Sequence, residues 1–157
     1  REILEYSNTL VGVHVALITM AGIISTPIMG NFSDKLGRRP VISFAMILMT
    51  ILIFLFLVFD RGIMMTFLVG CLGLFFFSVM PIINAAAMDM VDKGSEGSGT
   101  ALMFTGGSVI GSITPIFAGI INQSSGFHGV VIFSGIIALA GAALSLILPM
   151  KSAPPEA

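Results

Sequence analysis

Five apolar runs of about twenty residues or more constrain this chain more than any other feature. Roughly residues 8–29, 41–59, 64–88, 100–121 and 130–149 contain no Asp, Glu, Lys or Arg. A bilayer core about 30 Å thick is crossed by ~20 residues of helix. In that medium an open chain satisfies its backbone N–H and C=O groups only as a helix. The expected fold is an all-α polytopic membrane bundle with five transmembrane helices, residues 1–157 forming one domain with no separate soluble part.

Composition narrows the function. The chain is 56% hydrophobic and 10% charged, with a net charge of -1. No basic stripe exists to follow a phosphate backbone, so nucleic acid is excluded as a partner. Cys71 is the single cysteine; it cannot form an internal disulfide and reads as apolar filler. No Ser-His-acid set shares one membrane depth, and neither a His-Glu zinc motif nor a phosphate-cradling glycine loop is present. The eleven methionines form no cluster with Cys or His. Hence no catalytic residue, metal or cofactor is expected, and the chain does not read as an enzyme. It begins at Arg1 without an initiating Met and ends on the Pro-rich KSAPPEA. Its expected status is a piece of a longer protein, with the missing part upstream and a natural carboxyl terminus.

The connecting charges give the orientation. Lys35, Arg38, Arg39, Lys93 and Lys151 lie in the odd-numbered connections, against Arg61 alone in the even ones. The positive-inside rule places loop 30–40, loop 89–99 and the C-terminus in the cytoplasm; the expected location of the chain is a plasma (cell inner) membrane.

The spans differ in texture. The second, VISFAMILMTILIFLFLVF, has no glycine and almost no polar group, as suits a helix that mostly meets lipid. The fourth carries Gly107, Gly111, Pro115 and Gly119 at four-residue steps, which drift only about 40° each and form one winding stripe. Small residues let helix backbones approach closely in lipid, so this helix is expected to touch protein. Pro115 should bend it, with Ser108, Ser112 and Thr114 satisfying freed backbone groups or facing a watery cavity. The fifth repeats a weaker stripe through Ala138, Ala142 and Ser145.

The connection GNFSDKLGRRP packs its charges into a pattern. Gly30 is placed where a side chain would obstruct helix contact, and Gly37 offers a turn position open to positive φ. Asp34 can cap amides or pair with a base, and Lys35, Arg38 and Arg39 can reach acids or lipid phosphates. Pro40 suits the first turn of a helix. Taken together, Gly30, Ser33, Asp34, Lys35, Gly37, Arg38 and Arg39 resemble the signature loop of the major facilitator superfamily, with Phe32 where Leu is usual.

The resemblance implies helices two to six of one six-helix half, and the GSVIGSITPIFAGIINQSSGFHG run favours helices eight to twelve. It implies two bundles rocking about a midplane site, with Arg38 paired to Asp89 and Asp34 facing the fourth span near Gly99 or a helix of the absent N-terminal part. The implied activity is secondary active transport of a small solute, with proton-coupled efflux of drugs or metabolites by an antiporter preferred. The alternative is a non-transporting membrane interaction or assembly protein on the same fold. His14, Asn84, Ser108 and Ser112 are the candidate substrate or proton contacts, since polar groups at membrane depth are costly to face toward lipid. For His14 a hydrogen-bonded packing role competes. The implied partners are a small-molecule substrate, membrane lipids and protons.

Overall fold

The computed structural model describes residues 8–147, with side chains from residue 9. Helices α1 (Asn8–Leu36), α2 (Arg38–Leu55), α3 (Gly62–Met88) and α4 (Glu96–Ile147) account for nearly all of them. Each is long and apolar enough to cross a membrane. The expected five separate helices are therefore four, because the expected fourth and fifth spans are joined in one 52-residue element. Helix extends from both sides into the residues expected to form the connection between them and meets at a kink. Gly126, at φ 63 and ψ -162, is the one non-helical residue inside α4.

That one residue reverses the chain. Thr100, near the start of α4, donates to the Met88 sulfur at the end of α3 (3.4 Å). Val131 packs with Phe56, Met65, Leu68 and Val69 at the opposite end, and the Leu146 carbonyl accepts from Arg39, back at the first end. Fifty-two residues of straight helix would run about 78 Å, so both ends can meet the same end of the bundle only if α4 folds back. Backbone with φ near +60 and ψ near ±160 is essentially restricted to glycine. We call residues 96–125 the first arm and 127–147 the second.

The α1–α2 connection is shorter than expected. Helix α1 runs on through most of loop 30–40 to Leu36, and Gly37 alone separates it from α2. The Gly37 N–H donates to the Ser33 carbonyl (3.0 Å), closing α1. Its φ of 94 then turns the chain into Arg38, Arg39 and Pro40, the first turn of α2. Asp34 is thus inside the last turn of α1 and caps no helix start. An added Cβ on Gly30 would meet nothing within 4 Å, so Gly30 permits no close contact here.

Packing is built on two seams, α1 with α3 and α2 with the second arm. On the first, a Cβ on Gly73 would come within 2.5 Å of the Ile18 carbonyl oxygen, and one on Gly22 within 2.5 Å of the Phe77 Cβ. Buried Ser25 and Ser78 meet there at 2.6 Å, and Ser78 donates to the Leu74 carbonyl (2.7 Å). On the second, Gly135 lies under the Phe54 ring, Gly141 under Met46, and Ser145 donates to Ser43 (3.0 Å). Ala138, Ala142 and Ser145 are buried in it.

One expectation about the spans reverses, and another finds no contact among the described residues. Helix α2 is central, with Val41, Ile42, Ala45 and Met49 buried against α3 residues Val79, Ile82 and Ala86. Among the described residues nothing covers the stripe of the first arm, since a Cβ on Gly107, Gly111 or Gly119 would meet no atom within 4 Å. Pro115 keeps helical dihedrals. Ser112 and Thr114 donate to the carbonyls of Ser108 and Ile110, neither of which is the Gly111 carbonyl that loses its donor to Pro115. The tail with Lys151 lies outside the described residues.

Candidate functional site

Three helix ends converge where α1 passes into α2. Arg38, in the first turn of α2, donates from Nη1 to Asp34 Oδ1 (2.6 Å) and from Nε to Asp89 Oδ2 (3.2 Å). A longer bond from Nη1 reaches the buried Ser33 hydroxyl (3.3 Å). Asp34 is one turn back in α1, and Asp89 is the C-cap of α3. One guanidinium therefore ties α1, α2 and α3 together, using the fixed donor fork that a lysine lacks. Its side chain is 23% exposed, while Asp34 and Asp89 are 65% and 43% exposed. The base is held in place and both acids remain open to water.

Local electrostatics opposes each member of this cluster. Acids are favoured at helix N-termini and bases at C-termini. Here Asp34 and Asp89 stand at the C-terminal ends of α1 and α3, and Arg38 and Arg39 at the N-terminal end of α2. Each charge is misplaced for its own helix and well placed for a neighbour. Arg38 meets the negative ends of α1 and α3, and Arg39 donates to the Leu146 carbonyl in the last turn of α4. Charges arranged against local preference and satisfied only between elements are characteristic of functional sites.

The other sequence candidates are scattered. Lys35, also in the last turn of α1, is exposed. Asp34 has its carboxylate on Arg38, while Gly99 packs against Val91 and Met88; the expected approach of Asp34 to Gly99 is replaced by a pairing one helical turn away. Asn84 is half-buried in the C-terminal part of α3. Ser108 and Ser112 lie on the uncovered arm. His14 is at the opposite end of α1, where its Nδ1–H donates to the Leu10 carbonyl (2.7 Å) and its Nε2 meets Thr66 Oγ1 (2.9 Å). Among the described residues, no three of His, Cys, Asp and Glu come together as metal ligands. A cleft of about 330 Å³ opens between the arms of α4, lined by Ile110, Ile113, Thr114, Phe117 and Phe133.

Sequence reasoning passed over Thr66, Ser25 and Ser78. Hydroxyls inside long apolar runs were the available signal, because in hydrocarbon they must find partners within the protein. Which partner each finds depends on helices about fifty residues apart in sequence.

The sequence profile of the Major Facilitator Superfamily matches residues 1–157, the entire chain. The chain belongs to the Major Facilitator Superfamily. It is accordingly an integral membrane protein of a transporter family, with a small-molecule substrate and a lipid environment. No match was found among curated proteins or among solved structures. In this member of the family Arg38 is the residue through which the start of α2 grips the ends of α1 and α3.

Proposed function

We propose that this chain is the helix-eight-to-twelve portion of a secondary active transporter. It moves a small solute by alternating access, and the Arg38 cluster latches one of its states. The observation that carries the reading is the single guanidinium bridging Asp34 and Asp89 across the ends of three helices. Exposed ion pairs contribute roughly 0–1 kcal/mol each. Two such pairs are too weak to hold the bundle together, yet large enough to shift a two-state equilibrium by several-fold. Rocking that separated the helix ends would hydrate both acids and the base, so the latch can open without stranding a buried charge. The latch lies on the cytoplasmic side, as the distribution of Lys and Arg argues. The substrate class is a drug or metabolite exported by antiport, a reading supported by the lack of sugar-type polar and aromatic clusters in the spans.

The test uses the full-length chain in proteoliposomes. Solute flux abolished by an ionophore is expected, and complex formation without flux would favour the assembly protein instead. For the latch, cysteine-accessibility labelling should show Arg38→Gln shifting the state distribution more than Asp34→Asn, because it removes both contacts. A wild-type distribution in both variants overturns the latch.

A further inference from the structure

The bonds that cross the helix seams divide the bundle into two pairs. Helices α1 and α3 form the first. Gly73 lies against the Ile18 carbonyl and Gly22 against the Phe77 side chain, so close fit fixes the register of one helix on the other. The Ser25 hydroxyl of α1 also reaches Ser78 Oγ and the Leu74 carbonyl of α3, each at 2.6 Å. Helix α2 and the second arm form the other pair, in which Gly135 lies under Phe54 and Gly141 under Met46. Ser145 donates to Ser43 there, and Arg39 to the Leu146 carbonyl. Between the pairs the construction changes. Ala45, Met49 and Val79 form one apolar cluster and Ile42, Ile82 and Ala86 another, with Met29 and Met46 packed against both. Gly22, Gly73, Gly135 and Gly141 all face a helix of their own pair. Each side-chain hydrogen bond described between the pairs comes from one residue, Arg38.

We propose that the two pairs are stiff units that turn against each other about Gly37, and that the bond from Arg38 to Asp89 holds them in the arrangement seen here. Hydrogen bonds and filled glycines are directional and set a register, whereas apolar contact is non-directional and follows area alone. The boundary between the pairs is therefore the surface on which helices can slide. Methionine suits such a surface, because its unbranched side chain refits a displaced neighbour. Gly37 is the single residue between α1 and α2, and its φ is 94. Asp34 and Arg38 stand on either side of this pivot, so the bond between them survives the turn. Asp89 ends α3, across the sliding surface, so its bond to Arg38 Nε is the one that opens. Packed helices that slide in this way are displaced by about 1–2 Å.

This inference deepens the latch reading and rests on it, by naming the two units that the latch holds together. The experiment needs no substrate: spin-label distances in the full-length protein, in lipid nanodiscs and a Cys71→Ser background. Labels at exposed Ile24 and Met80 report the α1–α3 pair, Phe44 and Leu139 the pair of α2 and the second arm, and Phe44 with Met80 the boundary. In Asp89→Asn both distances within the pairs should match the wild type, while the boundary distance shifts by about 2 Å. Asp89 is partly exposed, so this change leaves the packing intact. Asp34→Asn should move the boundary less than Asp89→Asn, and Asp89→Glu should restore it. Distances within the pairs that move as much as the boundary, a boundary indifferent to Asp89→Asn, or a larger shift in Asp34→Asn overturns the proposal. Flux in proteoliposomes with a fixed boundary would leave the transporter reading standing, and a moving boundary without flux would leave the two units standing alone.

Discussion

Helix α2 and the first arm of α4 have opposite textures and opposite surroundings. Helix α2 is bulky, lacks glycine, and is packed by three neighbours; the first arm carries the best small-residue stripe in the chain, and nothing described here covers it. Judged by texture alone, each would have the other's place. The second arm shows why. Its Gly135 and Gly141 are covered because Phe54 and Met46 of α2 project onto them. A close helix pair needs a small face and a large face that fills it, and the bulky side chains that look suited to lipid are the ones that fill. A stripe states that a backbone can be approached, and only the opposing helix determines whether it is.

Substitutions along α4 can break or sharpen that contrast, each read as reversible unfolding of the protein in mixed micelles. Gly135→Leu should cost most, about 3 kcal/mol, because an added Cβ already meets the Phe54 ring at 2.7 Å and overfilled interfaces lose this much. Gly126→Ala should follow at about 2 kcal/mol, since it forces a side chain into backbone space that only glycine occupies freely. An undiminished stability there would remove the argument that α4 turns back on itself at this residue. Ser145→Ala should cost about 0.6 kcal/mol, the usual worth of an interhelical hydrogen bond in a membrane, by deleting its bond to Ser43. Gly111→Ala should change stability by less than about 0.5 kcal/mol, for lack of any atom within 4 Å. A loss above 1 kcal/mol at Gly111 would mean that another surface covers the first arm, and the contrast with the second would vanish.

The connection between α1 and α2 was partly legible for a local reason. Gly37 and Pro40 are positions where backbone geometry itself selects the residue, and both stand where such geometry is needed, at a φ of 94 and in the first turn of α2. The pairing of Arg38 with Asp89 entered only through the family resemblance, since fifty-one residues separate the two. The expected loop of eleven residues shrank to Gly37 because Asn31 to Leu36 are compatible with helix and the membrane boundary is not a helix boundary. At Gly30, as along the first-arm stripe, a missing side chain meets no contact among the described residues. Between residues 121 and 130 the chain does break, but at Gly126 alone, since the polar residues on either side of it remain helical.

The sequence by itself determined that this chain crosses a membrane as helices, because bilayer thickness and unmet backbone groups leave no other solution. It also carried the family, through charges and glycines within eleven residues of one another. The tertiary structure alone decided which small faces are filled, which acids Arg38 holds, and that His14 meets Thr66. Those outcomes depend on groups fifty or more residues apart meeting across helix seams, and no local preference encodes which helix will lie alongside which.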